Sequence, residues 1–95
     1  MAKKLKTKEI KKLLPTLPSW KVVRGSLYRE FVFKDFKEAF GFMIKSAIVA
    51  EKMDHHPDWS NVFKTVKVRL NTHDVKGISE LDFKLAQKMD KLIAK

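Results

Sequence analysis

The chain has 95 residues, a formal net charge of +10 and no cysteine. That length holds one domain with a modest core, and the missing thiols exclude a disulfide framework and any thiolate metal site. No apolar run approaches the roughly 18 residues of a membrane span, and the N-terminus lacks the apolar core of a secretory signal, so the reading is one intact cytoplasmic domain over residues 1–95.

The charge is uneven. The first twenty residues carry six lysines (Lys3, Lys4, Lys6, Lys8, Lys11, Lys12) against Glu9 alone. Elsewhere lysines are interspersed with acids, as in Lys34-Asp35, Lys37-Glu38 and Glu51-Lys52, and no arginine cluster or nucleic-acid motif appears. The balance reads as a solvated surface, and nucleic acid is not the expected partner.

From the N-terminus, Lys6 to Pro15 (KTKEIKKLLP) sets Ile10, Leu13 and Leu14 at helical spacing, which predicts a short amphipathic helix stopped by Pro15. Pro15, Pro18 and Ser19 form a connector. β-Branched and aromatic residues from Trp20 to Val23 and from Leu27 to Phe33 flank Arg24-Gly25-Ser26, a hairpin pattern. Asp35, with Glu38 three residues on, is a capping-box-like start. Phe36, Ala39, Phe40, Met43, Ala47 and Ala50 then recur at steps of three or four, predicting a helix to about Met53. Phe42, Ile44, Ile48 and Val49 fall outside that first face, so the helix has one apolar side for a sheet and another for a second protomer.

Farther on, Val66, Val68 and Leu70 alternate with Lys67, Arg69 and Asn71, a strand with one buried and one wet face. His73 has the parity of the wet face, and Ser60 to Phe63 gives only a weak strand pattern. Gly77 breaks the chain, and Ser79-Glu80-Leu81-Asp82 is a second capping box, opening a helix that turns Leu81, Leu85, Met89 and Leu92 inward. The expected fold is therefore α+β: a single small domain with an antiparallel sheet of about four strands covered on one face by three helices, in the order α-β-β-α-β-β-α.

Two of the three histidines stand together in Glu51 to Pro57, EKMDHHP. Pro57 restricts His56 to extended geometry, so the long helix ends at or before it. Glu51 and His55 are four apart across the last turn and should pair. His55 and His56 straddle the change from helix to extended chain, so they should diverge and line a concave site from two directions. The three histidines with Glu51, Asp54 and Asp82 supply enough ligands for zinc. Adjacent histidines, however, lack the spacing by which a helix presents two imidazoles to one ion, so no metal is expected. Two readings stay open at this point. The pair is either a helix stop, with a cationic imidazole at the C-terminal dipole, or acid-base machinery, since imidazole alone titrates near neutrality without tuning.

The spacing of the whole set is distinctive: Glu51, three residues, His55-His56-Pro57, five residues, Phe63, nine residues, His73, eight residues, Asp82. It matches the signature of the pterin-4a-carbinolamine dehydratases. The chain resembles that family also through Phe33 to Met43 (FKDFKEAFGFM), Glu51 to Val62 (EKMDHHPDWSNV), the Asn71-Thr72-His73 turn, Gly77 to Asp82 (GISELD) and the Leu13-Leu14-Pro15 that ends the first helix.

The resemblance implies a lyase that needs no cofactor. Its substrate is the 4a-hydroxy-tetrahydropterin released by aromatic amino-acid hydroxylases, and its products are quinonoid dihydropterin and water, which places it in tetrahydrobiopterin recycling with a functional link to such a hydroxylase. By the same resemblance His55 and His73 are general acids for the departing 4a-hydroxyl, and His56, also in the catalytic set, binds substrate. Glu51 orients or binds, and a carboxylate beside His55 would favour the charged imidazole. Trp59 is a candidate to stack on the pterin, although an aromatic after a turn is more often core. Asp82 is a supporting residue better explained by its capping box. Asp54, also supporting, sits where the helix dipole disfavours an acid. The resemblance further implies a homodimer or homotetramer assembled partly through the long helices. Animal members also stabilise the dimer of a homeodomain transcription factor, so the alternative is an interaction protein or transcriptional dimerisation cofactor on the same scaffold, with a nuclear location. The lysine-rich start departs from the family's pattern.

Overall fold

Two hairpins and three helices make up the computed structural model, which describes residues 2–94. The first helix, α1 (Thr7–Leu13), does not give way to coil at Pro15. The chain continues as a 3-10 turn over Leu14–Thr16, with the proline in its first turn. Proline's fixed φ suits the first turn of a helix. The lysine-rich start is seated: Leu5 N–H donates to Ile78 O at 2.8 Å and its side chain is buried. A Cβ on Gly77 would lie 2.8 Å from Lys4 Cε, so the absent side chain of Gly77 makes room for the lysine stem.

Strands β1 (Lys21–Val23) and β2 (Ser26–Val32) are joined by Arg24-Gly25 at φ 51° and 76°. Two left-handed residues give a turn whose twist suits a two-residue hairpin, and glycine adopts that region without strain. The second hairpin pairs β3 (Asp58–Val62) with β4 (Thr65–Leu70), so the weak pattern around Ser60 is a real five-residue strand. The sheet runs β1-β2-β4-β3, antiparallel throughout. Being an edge strand, β3 turns only Trp59 and Asn61 toward the helices, and both are half-buried, which explains its faint alternation.

The predicted α+β fold is observed, with three helices and a four-stranded antiparallel sheet. Leu27 and Phe31 of β2 face Leu70 and Val66 of β4 across the ladder, and all four are buried. With Val68, they form one cluster with Ala39 and Phe42 of α2 (Phe36–Met53) and with Phe83, Leu85, Ala86 and Met89 of α3 (Glu80–Ile93). Phe31 lies tilted against Phe42, ring centres 4.5 Å apart, and meets the edge of Trp20 at 5.8 Å. Each such side chain contributes about 1.5–3 kcal/mol by leaving water. Asp90 of α3 fastens the layers, accepting from Trp20 Nε1 at 2.9 Å and from Arg29 Nη1 at 2.6 Å.

Asp35 caps α2 as expected, its Oδ1 accepting from Glu38 N–H at 2.8 Å, while Glu38 reaches back to Lys34 N–H at 3.3 Å instead of closing on Asp35. The helix is indeed apolar on two sides, but its faces divide differently from the periodic reading. Phe36 and Phe40, assigned to the first face, are about half exposed with Ile44 and Ile48 (49–54%), and Ala47 is exposed too. The buried side is Ala39, Phe42, Ser46 and Ala50, with Met43, Val49 and Met53 partly covered. When nearly every position is apolar, spacing alone does not choose the face, and sheet contact decides.

Candidate active site

The geometry of EKMDHHP follows from how α2 ends. Asp54 takes the left-handed region (φ 51°, ψ 42°) normally filled by glycine. Its N–H donates to Glu51 O at 3.1 Å, and the next N–H, of His55, returns to Ala50 O at 3.1 Å. This reversal satisfies the last carbonyls of the helix and turns the chain back on itself. His55 thus leaves the helical track and points inward, whereas His56, extended before Pro57, leads into β3 at the surface. Asp54 itself is exposed, and what it supplies here is the backbone turn.

The divergence of the two imidazoles is as expected, but their carboxylate partners are exchanged. Glu51 does not pair with His55; its Oε1 lies 2.8 Å from His56 Nε2. An i, i+4 pair needs both residues on one helix, and the turn at Asp54 removes His55 from it. His55 Nε2 instead meets Asp82 Oδ1 at 2.5 Å, with His55 8% exposed and Asp82 fully buried.

Asp82 both caps and binds. Its Oδ2 accepts from Ser79 N–H at 2.9 Å, the predicted capping-box bond that opens α3, and from Thr72 Oγ1 at 2.9 Å. Ser79 Oγ lies 2.6 Å from the same Thr72 oxygen. A hydroxyl has one proton to give. Since Thr72 donates to Asp82, Ser79 must donate to Thr72, and the buried chain runs Ser79 to Thr72 to Asp82, with His55 donating from the other side. Every neighbour offers Asp82 a donor, so a fully buried carboxylate is satisfied on both oxygens.

Among the described residues, Ser46 Oγ is the one buried side-chain polar atom without a partner. His55 is engaged through Nε2, so Nδ1 is the other ring nitrogen of this buried imidazole. An imidazole held at Nε2 by a carboxylate is fixed in orientation, which leaves Nδ1 as its remaining site for proton exchange.

The exposed pair borders an open cavity of about 660 Å³, walled by Ile44, Ala47 and Ile48 of α2 and by Pro57 and Trp59, with Glu51, Lys52 and His56 as its polar groups. Apolar walls with a few polar groups suit a small flat ring. Trp59 serves two ends, packing against the core and lining this cavity. The structure therefore brings together Glu51, His56 and Trp59 around a cavity and joins His55 to Asp82. His55 and His73 are not among that cavity's lining residues. His73 lies past the end of β4, opening an exposed 3-10 turn (His73–Val75), and is connected to the buried pair through its chain neighbour Thr72. Among the described residues, no three histidine or acidic side chains converge as a metal cage. Thr72 and Lys52 had no role in the sequence reading, although Thr72 stands directly before His73.

The family model described as pterin 4 alpha carbinolamine dehydratase matches residues 3–92. The chain belongs to that family. A relative from Chelativorans sp. is 53% identical over 94 residues, covering 97% of this chain and 96% of its own length. One from Jannaschia sp. is 64% identical over 75 residues, covering 77% of this chain and 76% of its own. Each is named as a candidate pterin-4-alpha-carbinolamine dehydratase. A crystal structure from Brucella melitensis, described as a transcriptional coactivator/pterin dehydratase, matches with a TM-score of 0.94 at 42% identity, over 97% of this chain and 100% of that one.

Proposed function

We propose that this pterin dehydratase family member removes water from a 4a-hydroxy-tetrahydropterin to give the quinonoid dihydropterin, supporting the recycling of the reduced pterin after aromatic hydroxylation. The observation that carries the reading is the buried His55–Asp82 pair, which holds the imidazole by Nε2. In the elimination, His55 as imidazolium gives its Nδ1 proton to the 4a-hydroxyl, the C4a–O bond breaks as the N5 lone pair forms the C=N bond, and water departs. The N5 proton leaves to water or to an imidazole, restoring the charge balance. Asp82 holds the ring by Nε2 throughout. His73 is the second acid, while His56 with Glu51 and Trp59 binds the ring system. No electrons are gained or lost, so the chemistry calls for no redox cofactor.

A positioned general acid contributes on the order of 10² to 10⁴ in rate. Stopped-flow dehydration of chemically generated carbinolamine should therefore be accelerated by the wild-type protein, with losses of that order in His55→Ala and in His73→Ala. Wild-type rates in both variants would overturn the assignment.

A second reading rests on the exposed stripe Phe36, Phe40, Ile44 and Ile48. Four large apolar side chains along one helix face form the kind of surface that another chain covers, and we read it as the contact of a homodimer or homotetramer, or of a protein partner. Sedimentation that finds a monomer, together with a native-cell pull-down indistinguishable from that of a stripe variant, would remove it.

A further inference from the structure

We infer that Thr72 is a positioning residue whose hydroxyl couples His55 to the loop that carries His73; the inference rests on the dehydratase reading above. Thr72 is 6% exposed and has three ties. One is its backbone, which donates to Gly77 O at 2.7 Å and accepts from Gly77 N–H at 3.4 Å and Val75 N–H at 3.2 Å, closing the loop containing His73. Its hydroxyl accepts from Ser79 Oγ at 2.6 Å and donates to Asp82 Oδ2 at 2.9 Å.

These contacts differ in what they join. The bond from Ser79 N–H to Asp82 lies within the cap of α3 and fixes the carboxylate only to its own helix. The hydroxyl bond from Thr72 crosses to the segment leaving β4, one residue before His73. Its removal would leave Asp82 anchored to α3 but would free the His73 loop from the carboxylate that holds His55. Bonds in a buried chain also polarise one another, so the donation from Thr72 tunes the acceptor strength that Asp82 presents to the imidazole. Valine matches threonine in shape and lacks the donor; serine keeps the donor and loses a methyl.

The test compares Thr72→Val, Thr72→Ala and Thr72→Ser with wild type, each first shown to be folded by circular dichroism. Outer partners of metal-bound imidazoles are typically worth about tenfold or more, and the same scale is expected for an imidazole held by Asp82. Thr72→Val and Thr72→Ala should each lose about tenfold in kcat with KM nearly unchanged, and Thr72→Ser should stay within about twofold of wild type. In a His73→Ala background the loss from Thr72→Val should shrink, because coupled residues are not additive. Long-range ¹⁵N–¹H spectra of the imidazoles give a readout independent of turnover: the His55 Nε2 signal should keep its wild-type position in Thr72→Ser and move in Thr72→Val, where Asp82 loses a donor and accepts more strongly from the ring. Absence of acceleration by the wild-type protein would defeat the dehydratase reading alone. With an active wild type, the inference falls if Thr72→Val and Thr72→Ala keep full kcat, if Thr72→Ser is as impaired as they are, if the loss persists undiminished without His73, or if the His55 Nε2 signal is unmoved in Thr72→Val.

Discussion

Two imidazole–carboxylate pairs occupy neighbouring positions in the sequence and opposite environments in the molecule. His55 and Asp82 have side chains 9% and 0% exposed, and the remaining valences of the carboxylate are filled by Thr72 and Ser79. His56 and Glu51 have side chains 58% and 80% exposed. The contact distances are similar, but the consequences are not. Water screens the outer pair and competes for both its members, which leaves it free to exchange a carboxylate for a substrate edge. The inner pair has no such competitor, so it keeps one geometry and suits a group that must deliver a proton in one direction.

The largest effect expected from this contrast is on stability. Asp82→Ala strands His55, Thr72 and the Ser79 N–H in the interior and should cost about 3–5 kcal/mol, the usual penalty for breaking a buried pair from one side. Glu51→Ala should cost less than about 1 kcal/mol. Urea unfolding of both variants measures the difference directly. Equal losses would mean that burial does not separate the two pairs.

The faces of α2 repeat the contrast without charge. Phe42 packs against Phe31 and Phe33, whereas Phe40 stands half exposed beside Phe36. Phe42→Ala should remove about 3–5 kcal/mol from unfolding stability through the cavity it leaves. Phe40→Ala should leave the fold of a chain within about 0.5 kcal/mol while lowering the association seen by sedimentation. A Phe40 variant that unfolds as readily as the Phe42 variant would show that the stripe supports the fold of the single chain.

Much of this was legible beforehand because it depends on local rules. The caps at Asp35 and Ser79, the β4 alternation and the Arg24-Gly25 turn each arise from a few adjacent residues. The partner of His55 was not legible, because it depends on a left-handed aspartate at 54 that the sequence marks with no glycine. Once the helix is taken to end regularly, Glu51 is the natural mate; one backbone reversal hands His55 to a residue 27 positions away. The double role of Asp82 was hidden for a related reason. Its capping box explains the residue fully on one oxygen, and nothing local reports what the other oxygen meets. Thr72 was quoted in the motif yet given no task, since a lone hydroxyl has no pattern until its neighbours are in place.

Tyr28 gives the mildest form of the contrast, and as the chain's single tyrosine it can be followed without ambiguity. It stands on the sheet face away from the helices, donating to Glu30 Oε2 at 3.2 Å and paired in register with Arg69. Its phenol is held above the ordinary value of 10.0, by desolvation first and then by the charge and hydrogen bond of Glu30, with Arg69 acting the other way. A midpoint raised in the folded state means that folding retains the proton. The contribution is intact below the unfolded value near 10, and it is lost as pH rises through the folded midpoint. Phenolate absorbance should titrate higher in the native protein than in the urea-unfolded chain. Glu30→Gln should bring the native midpoint down, and Arg69→Gln should raise it further. Because Glu30 is exposed, added salt should shrink both shifts. A Tyr28 midpoint indifferent to Glu30 and to salt alike would assign the whole shift to desolvation, and an open carboxylate on this sheet would then count for even less than the Glu51 pair.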